Sequence, residues 1–370
     1  MMSLLISLLA KPEKLKTISD ASWQQILTEA NASQLVGRLK YLCDIGQVTP
    51  PKYVVWHLDS AYKIAQKQRQ QALREFYEVN RSLAKMNTDV IFLKGAAYIA
   101  KNLPCSHGRT FSDIDILVSK NDLRKIEQTL RFSDWIQTDI DDYDEQYYRT
   151  WMHEIPPLTH VHRGTVLDVH HNILPATNAD TPDATEFNTE KTLVEDVGFV
   201  NTLNDTDLLI HTAVHLFTES EFHHGLRDIS DIDLLLRYFQ QPNIDNHNNF
   251  VTELVLRSKE LGLYSYVRLA LRYAHLIFNT PLKNIDSSAL QFNSKLQEMI
   301  LDFCFINTFK PNHSSCRDWK SSLAQFILYW RGHLLRMPLR LLIPHLCKKS
   351  WKRFKDSTTK DKTASDNMIP

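Results

Sequence analysis

Glycine is scarce in this chain, with 9 among 370 residues. Few positions are therefore free to take left-handed backbone, and a helix-rich chain is expected. The five cysteines (Cys43, Cys105, Cys304, Cys316 and Cys347) are scattered and odd in number. They show no zinc-ligand spacing and no disulfide framework. No run of about 18 apolar residues occurs, so no membrane-spanning helix is expected. There is no surplus of charge either: 43 Lys and Arg balance 43 Asp and Glu. That excludes a general electrostatic bias toward nucleic acids or membranes. Long-period repeats are missing. Met1 to Ala10 is apolar, but it is short and no basic region precedes it, so it does not read as a signal peptide. A chain of this length holds two domains and a sizeable core, and a cytoplasmic enzyme is the class that fits.

What is present is concentrated in one stretch. Arg109-Thr110-Phe111-Ser112-Asp113-Ile114-Asp115-Ile116-Leu117-Val118 sets two aspartates two residues apart in an apolar run. The alternation reads as a β-strand, on which residues i and i+2 share a face. Asp113 and Asp115 thus aim both carboxylates at one place. Two like charges side by side are costly unless something cationic lies between them, and a hard ion such as Mg²⁺ accepts such oxygens. Upstream, Asp89 to Leu93 reads as a short buried strand, Lys94-Gly95 as a turn, and Ala96 to Leu103 as a helix. A glycine turn opening a helix is a phosphate-binding layout, to which Lys94 would add positive charge. Alone, the same pattern is an ordinary strand, turn and helix with a surface lysine; the aspartate pair favours the phosphate layout. Downstream, His162-Arg163-Gly164 reads as a turn and Gly164 to His170 as a strand carrying one acid, Asp168. A third carboxylate is what two-metal phosphoryl chemistry commonly needs. An edge-strand aspartate facing water is the plainer alternative. Val166 and His170 share the face of Asp168, where His170 would orient that acid, contact a phosphate, or sit partly buried with no role.

Leu93-Lys94-Gly95-Ala96-Ala97, then Arg109 with Ser112 to Val118, then Leu167-Asp168-Val169-His170, resembles the DNA polymerase beta-like nucleotidyltransferase superfamily. Within it the chain looks most like a bacterial family described as uncharacterised nucleotidyltransferases, over roughly residues 20–240. Gly95-Ala96 stands where the wider superfamily usually has Gly-Ser or Gly-Gly, so a phosphate-binding hydroxyl is missing from the turn. Eighteen positions separate Gly95 from Asp113, more than in many relatives. The resemblance implies an α+β fold, a small mixed β-sheet nucleotidyltransferase core flanked by N-terminal and C-terminal helical regions. It implies Mg²⁺ held by Asp113, Asp115 and Asp168, an NTP with ATP the expected one, and a nucleotide site at Lys94, Gly95, Ala96, Arg109 and Ser112. The reaction implied is attack of an acceptor hydroxyl on the α-phosphate with loss of pyrophosphate; Asp168 would accept the proton, and Arg109 would either neutralise developing charge or pair with the aspartates. Nothing identifies the acceptor, although the balanced charge argues against a long nucleic acid. Two other classes stay open: a nucleotide-binding protein on the same fold that has lost activity, and a scaffold or peripheral membrane protein in which the acidic strand is incidental.

A second string, Arg227-Asp228-Ile229-Ser230-Asp231-Ile232-Asp233-Leu234, repeats much of the first, including an arginine four residues before the first aspartate of the Ser-Asp-Ile-Asp run. Here the following residues continue without turn signals and read as helix. Positions two apart on a helix differ by about 200° around the axis, so Asp231 and Asp233 face apart. Arg227 and Asp231 are expected to pair at i,i+4; the resemblance extends over this helix and implies that Arg227 lines the cleft. His211 and His215 are likewise i,i+4, but no HExxH glutamate or nearby cysteine pair supports zinc.

The chain divides by pattern into a helical region 1–86 broken at Pro50-Pro51, a catalytic core 87–204, a helical domain 205–355 with breaks near Pro242, Pro281 and Pro311, and a disordered tail 356–370. Residues 330–355 are basic without one acid and interspersed with Leu and Trp. This suits a helix packed on the domain with a solvated basic face, or contact with an anionic membrane surface or another phosphate-rich partner. Pro338 and Pro344 interrupt any single helix.

Overall fold

The computed structural model describes residues 3–86, 88–137, 140–241, 249–285, 287–292 and 294–344. Four helices open the chain: α1 (Leu4–Ala10), α2 (Asp20–Ala32), α3 (Val36–Ile45) and α4 (Lys52–Leu83). Pro50-Pro51 separates α3 from α4, with Pro51 at the α4 N-cap. Along α4, Val54, Leu58, Ala65, Ala72, Phe76, Val79 and Leu83 are buried at spacings of three, four and seven residues. That stripe lays the 32-residue helix across the protein and delivers the chain into the first strand.

The strands are β1 (Ile91–Phe92), β2 (Asp113–Leu117), β3 (Trp135–Gln137), β4 (Leu158–His160), β5 (Val166–His170), β6 (Thr189–Val194) and β7 (Gly198–Leu203). They form one seven-stranded sheet in the order β3-β4-β5-β2-β1-β7-β6. β2 runs parallel to β5 and β1 parallel to β7, while the other neighbours are antiparallel. Between the strands lie α5 (Lys94–Ala100), α6 (Leu123–Arg131) and α7 (Asp142–Trp151). Six helices follow: α8 (Asp205–Thr218), α9 (Gly225–Phe239), α10 (Phe250–Glu260), α11 (Tyr264–Phe278), α12 (Lys295–Thr308) and α13 (Trp319–Arg336). The class is the expected one, α+β with a mixed sheet and helical flanks.

Several local expectations change. The strand expected over 89–93 shortens to Ile91–Phe92, and the helix begins at Lys94 rather than after a turn. β3 and β4 are three residues each, too short to show a period of two. The residues before Asn204 supply a complete hairpin, β6 and β7, which extends the sheet beyond β1.

Two apolar cores divide the interior. Phe76, Phe92, Ile114, Ile116, Ile126, Leu130, Trp135, Leu167 and Val169 fill the space between the sheet and α4 and α6. The second core joins residues of α1–α3 to those of α8–α12. The N-terminal and C-terminal helices thus pack together although far apart in sequence. The basic C-terminal segment is partly pinned. Arg331 donates to the Phe217 carbonyl at 2.6 Å, and Arg336 pairs with Glu219 at 3.1 Å. α13 ends at Arg336 with Met337 as its C-cap, ahead of Pro338. Residues 345–355 of that segment and the tail 356–370 lie outside the described residues. Among the described residues no helix is long and apolar enough to cross a membrane.

Candidate active site

The site is built on two adjacent parallel strands. β2 and β5 pair in the register Asp113↔Val166, Asp115↔Asp168 and Leu117↔His170. Ile114, Ile116, Leu167 and Val169 alternate with the acids and are all buried in the sheet core. Because a strand's side chains alternate, burying that apolar set turns Asp113, Asp115 and Asp168 onto the other face together. A one-residue slip would send the acids into the core, so the apolar residues set the register of the acids.

Asp115 is buried, and its carboxylate is not left facing Asp113 unaided. Lys94 Nζ donates to Asp115 Oδ1 at 2.7 Å, and His170 Nε2 approaches the same oxygen at 2.9 Å. Burial alone would raise this acid, but Lys94 and then His170 outweigh it and hold the carboxyl far below its ordinary range. The same balance, with burial opposed by Asp115, Glu154 and Asp113, keeps Lys94 charged above the usual lysine value. The backbone makes this reach available. Lys94 has φ +45°, a region that a residue with a Cβ enters at a cost, and it carries the chain sharply from β1 into α5. Lys94 thus supplies positive charge beside Asp115. His170 serves Asp115 rather than orienting Asp168, as its shared face with that acid had suggested.

Asp168 differs. Its Oδ1 is buried and has no hydrogen-bond partner among the described residues. Burial first, then the nearby charges of Asp115, Glu154 and Asp113, push its carboxyl up to about 7. Glu154 was not singled out from the sequence, because it lies in an isolated bridge, Glu154↔His170, that leaves no periodic trace. It reaches His170 Nδ1 at 3.3 Å and faces the site.

A cavity of about 410 Å³ opens beside these strands, lined among others by Lys94, Gly95, Arg109, Asp113, Asp115 and Arg227. Ser112 also lines it and donates to Asp113 at 3.0 Å. Ala96 does not line it; the residue is buried in the sheet core. Gly95 borders the cavity, but a Cβ there would lie 2.3 Å from the Phe111 ring. Its lack of a side chain is thus used by Phe111, and the left-handed residue of the turn is Lys94.

Arg109 stacks over Phe111 at 5.0 Å and its ion pairs go to the second acidic string, not the first. Arg109 Nε donates to Asp231 at 2.9 Å, and Arg38 Nη2 donates to the other oxygen of Asp231 at 2.5 Å. Arg38 also donates to Ser230 and to the Cys105 carbonyl. The string is helical, as expected, and its two aspartates part: Asp233 bonds Arg237 and Thr280 instead. The expected Arg227–Asp231 pair is not formed. Arg227 turns to Asp228 at 2.8 Å and to Gln34, because Arg38 and Arg109 already occupy the Asp231 carboxylate. Arg38 could not have been found from sequence, being 193 positions from Asp231. His211 and His215 do not converge on a carboxylate cluster. Burial, then the positive charge of Lys94, pushes His211 down to about 3 and His215 well below its usual value.

The donor set suits a hard cation. The carboxylates of Asp113, Asp115 and Asp168 share one sheet face, and Asp168 keeps an oxygen without a partner among the described residues.

No curated protein matches the sequence. A solved structure, that of an antigenic nucleotidyltransferase-like protein from Paracoccidioides brasiliensis, aligns at 14% identity and a TM-score of 0.31, over 52% of this chain and 92% of its own. The family described as uncharacterised nucleotidyltransferase matches residues 19–279. That span takes in the Lys94 turn, all three aspartates and the Arg38–Asp231–Arg109 network, and the chain belongs to the uncharacterised nucleotidyltransferase family.

Proposed function

We propose that the protein is a Mg²⁺-dependent nucleotidyltransferase that moves a nucleoside monophosphate from an NTP, ATP by preference, to a hydroxyl of an acceptor. The observation that carries this reading is the in-register pairing of Asp115 with Asp168, which gathers three carboxylates on one sheet face, two of them, Asp113 and Asp115, lining a cavity edged by Lys94, Arg109 and Arg227. Asp113, Asp115 and Asp168 would hold the metal, whose chemistry when bound is to neutralise phosphate charge and lower the pKa of the attacking hydroxyl. Arg109, held by Asp231 and Asp228, presents a fixed guanidinium to phosphate oxygens. Lys94 balances Asp115 and adds positive charge at the cavity floor. Asp168 takes the proton of the acceptor hydroxyl, its Oδ1 being without a partner among the described residues. The new bond joins the acceptor oxygen to the α-phosphorus, and the bond to pyrophosphate breaks. Gly95, Ser112 and the Phe111 ring shape the wall, while Ala96 supports it from the core. By the same reading, residues 87–204 form the catalytic core between the helical regions 1–86 and 205–355.

The test uses purified protein, α-labelled NTPs, Mg²⁺ and a cell extract as the source of acceptor. Label transfer with release of pyrophosphate, lost in Asp113→Ala, supports the assignment. Absence of both label transfer and Mg²⁺-dependent NTP binding refutes it.

A further inference from the structure

Beside the three aspartates lies a cluster with different donor chemistry. His153, Glu154 and His170 each offer one ligand atom, and these atoms lie within 4.8 Å of one another. The backbone holds them there. Glu154 forms a bridge with His170, Ile155 N donates to the Val169 carbonyl at 3.0 Å, and His171 N donates to the His153 carbonyl at 2.8 Å. The cluster is thus clamped against the end of β5 rather than carried on a free loop.

Three features of the cluster call for a cation. His153 Nδ1 is buried and has no partner among the described residues. His170 meets Asp115 through Nε2, and a carboxylate can only accept, so that nitrogen carries the hydrogen and donates. The other nitrogen, Nδ1, faces the Glu154 carboxylate at 3.3 Å. As a bare lone pair it would oppose that carboxylate; a proton on Nδ1 or a metal ion between the two removes the conflict. Ligand atoms on a tetrahedral zinc, each about 2.0–2.1 Å from the ion, lie about 3.4 Å apart; the His170 Nδ1–Glu154 pair, at 3.3 Å, has that spacing, and His153 offers its atom within 4.8 Å of both. An imidazole whose far nitrogen donates to a carboxylate is also the usual arrangement of a metal-bound histidine, since the partner fixes the tautomer.

We propose that His153, Glu154 and His170 bind a transition-metal ion of the zinc class at a second site, separate from the three aspartates. Two imidazoles and one carboxylate are a known zinc donor set, with the fourth position left to water. Mg²⁺ prefers oxygen alone, so ligand chemistry sorts the two ions between the two sites. The site does not depend on nucleotidyl transfer, and its test reads metal alone.

Full-length protein freed of metal by chelator is titrated with Zn²⁺ against a chromophoric competitor, and separately with Co²⁺ while visible d–d absorption is followed. One Zn²⁺ binds per chain, and Co²⁺ gives the intense bands of a tetrahedral nitrogen and oxygen site. His153→Ala and Glu154→Gln each weaken binding by more than the roughly 10–100-fold that loss of an outer hydrogen-bond partner costs. Asp113→Asn leaves it within experimental error. Glu154→Gln keeps shape at a partly exposed position and decides the matter if His153→Ala does not fold. Absence of Zn²⁺ binding in the parent protein overturns the site, as does binding that Glu154→Gln leaves unchanged or that Asp113→Asn abolishes.

Discussion

Asp168→Asn separates the electrostatics of the site from its packing. In the metal-free protein the Asp168 carboxyl is raised from 3.8 to about 7, chiefly by burial and then by Asp115, Glu154 and Asp113. The folded state thus holds a proton that the unfolded chain releases, across the window from about pH 4 to pH 7. Where the folded state binds more protons than the unfolded one, stability falls as pH rises. Ionising Asp168 above pH 7 therefore costs the fold up to about 4 kcal/mol, from roughly three pKa steps at about 1.4 kcal/mol each. Asparagine keeps the size and removes the charge. Buried histidines complicate the absolute curve: His153, His211 and His215 are all held below their usual values, so each adds stability as pH rises. The difference between variant and parent cancels them. Urea unfolding with chelator present, at pH 5 and pH 8, should show Asp168→Asn gaining on the parent by about 3 kcal/mol between the two, from the roughly two pKa steps above pH 5. Added Mg²⁺ should stabilise the parent at pH 8 and the variant far less. A gap independent of pH, or one that shrinks toward pH 8, would refute the charge assignment.

The two aspartates of β2 should separate. Asp113→Ala removes Mg²⁺-dependent nucleotide binding and leaves the fold intact, whereas Asp115→Ala also strips Lys94 and His170 of their partner and costs about 3–5 kcal/mol; calorimetry with Mg²⁺ and a non-hydrolysable NTP, with thermal unfolding alongside, checks both, and equal stability of the two variants sinks the distinction. Gly95→Ala should destabilise by about 1–3 kcal/mol, because its Cβ meets the Phe111 ring and outweighs the roughly 1 kcal/mol that alanine gains in a helix. In a Phe111→Ala background the sign should reverse, and an unchanged sign counts against the contact. Asp231→Asn should cost about 3–5 kcal/mol by leaving Arg38 and Arg109 facing each other, and should weaken NTP binding through Arg109. Neither it nor Asp233→Asn should touch Mg²⁺ binding to the β2 acids; loss of that binding at normal thermal stability would mean that the helical string holds metal.

Sequence alone determined what local physics controls. The alternation of Asp113 and Asp115 with Ile114 and Ile116 allows one strand register, and the unbroken run after Asp233 allows only a helix, so two nearly identical strings were told apart without coordinates. The helical character of region 1–86 and its break at Pro50-Pro51 were legible for the same reason: each is a local pattern or a dihedral restriction within a few residues. Tertiary structure decided every partner. That the charge of Lys94 is spent on Asp115, that Arg109 is held by the second string, and that Arg38 and Glu154 belong to the site all depend on distant segments meeting. So did the strands β3, β4, β6 and β7, whose pairing is long-range or too short to carry a period. A side chain's period is written in its neighbours along the chain, but its ion pair is set by whichever group the folded backbone brings within about 3 Å, where charge interactions are strong.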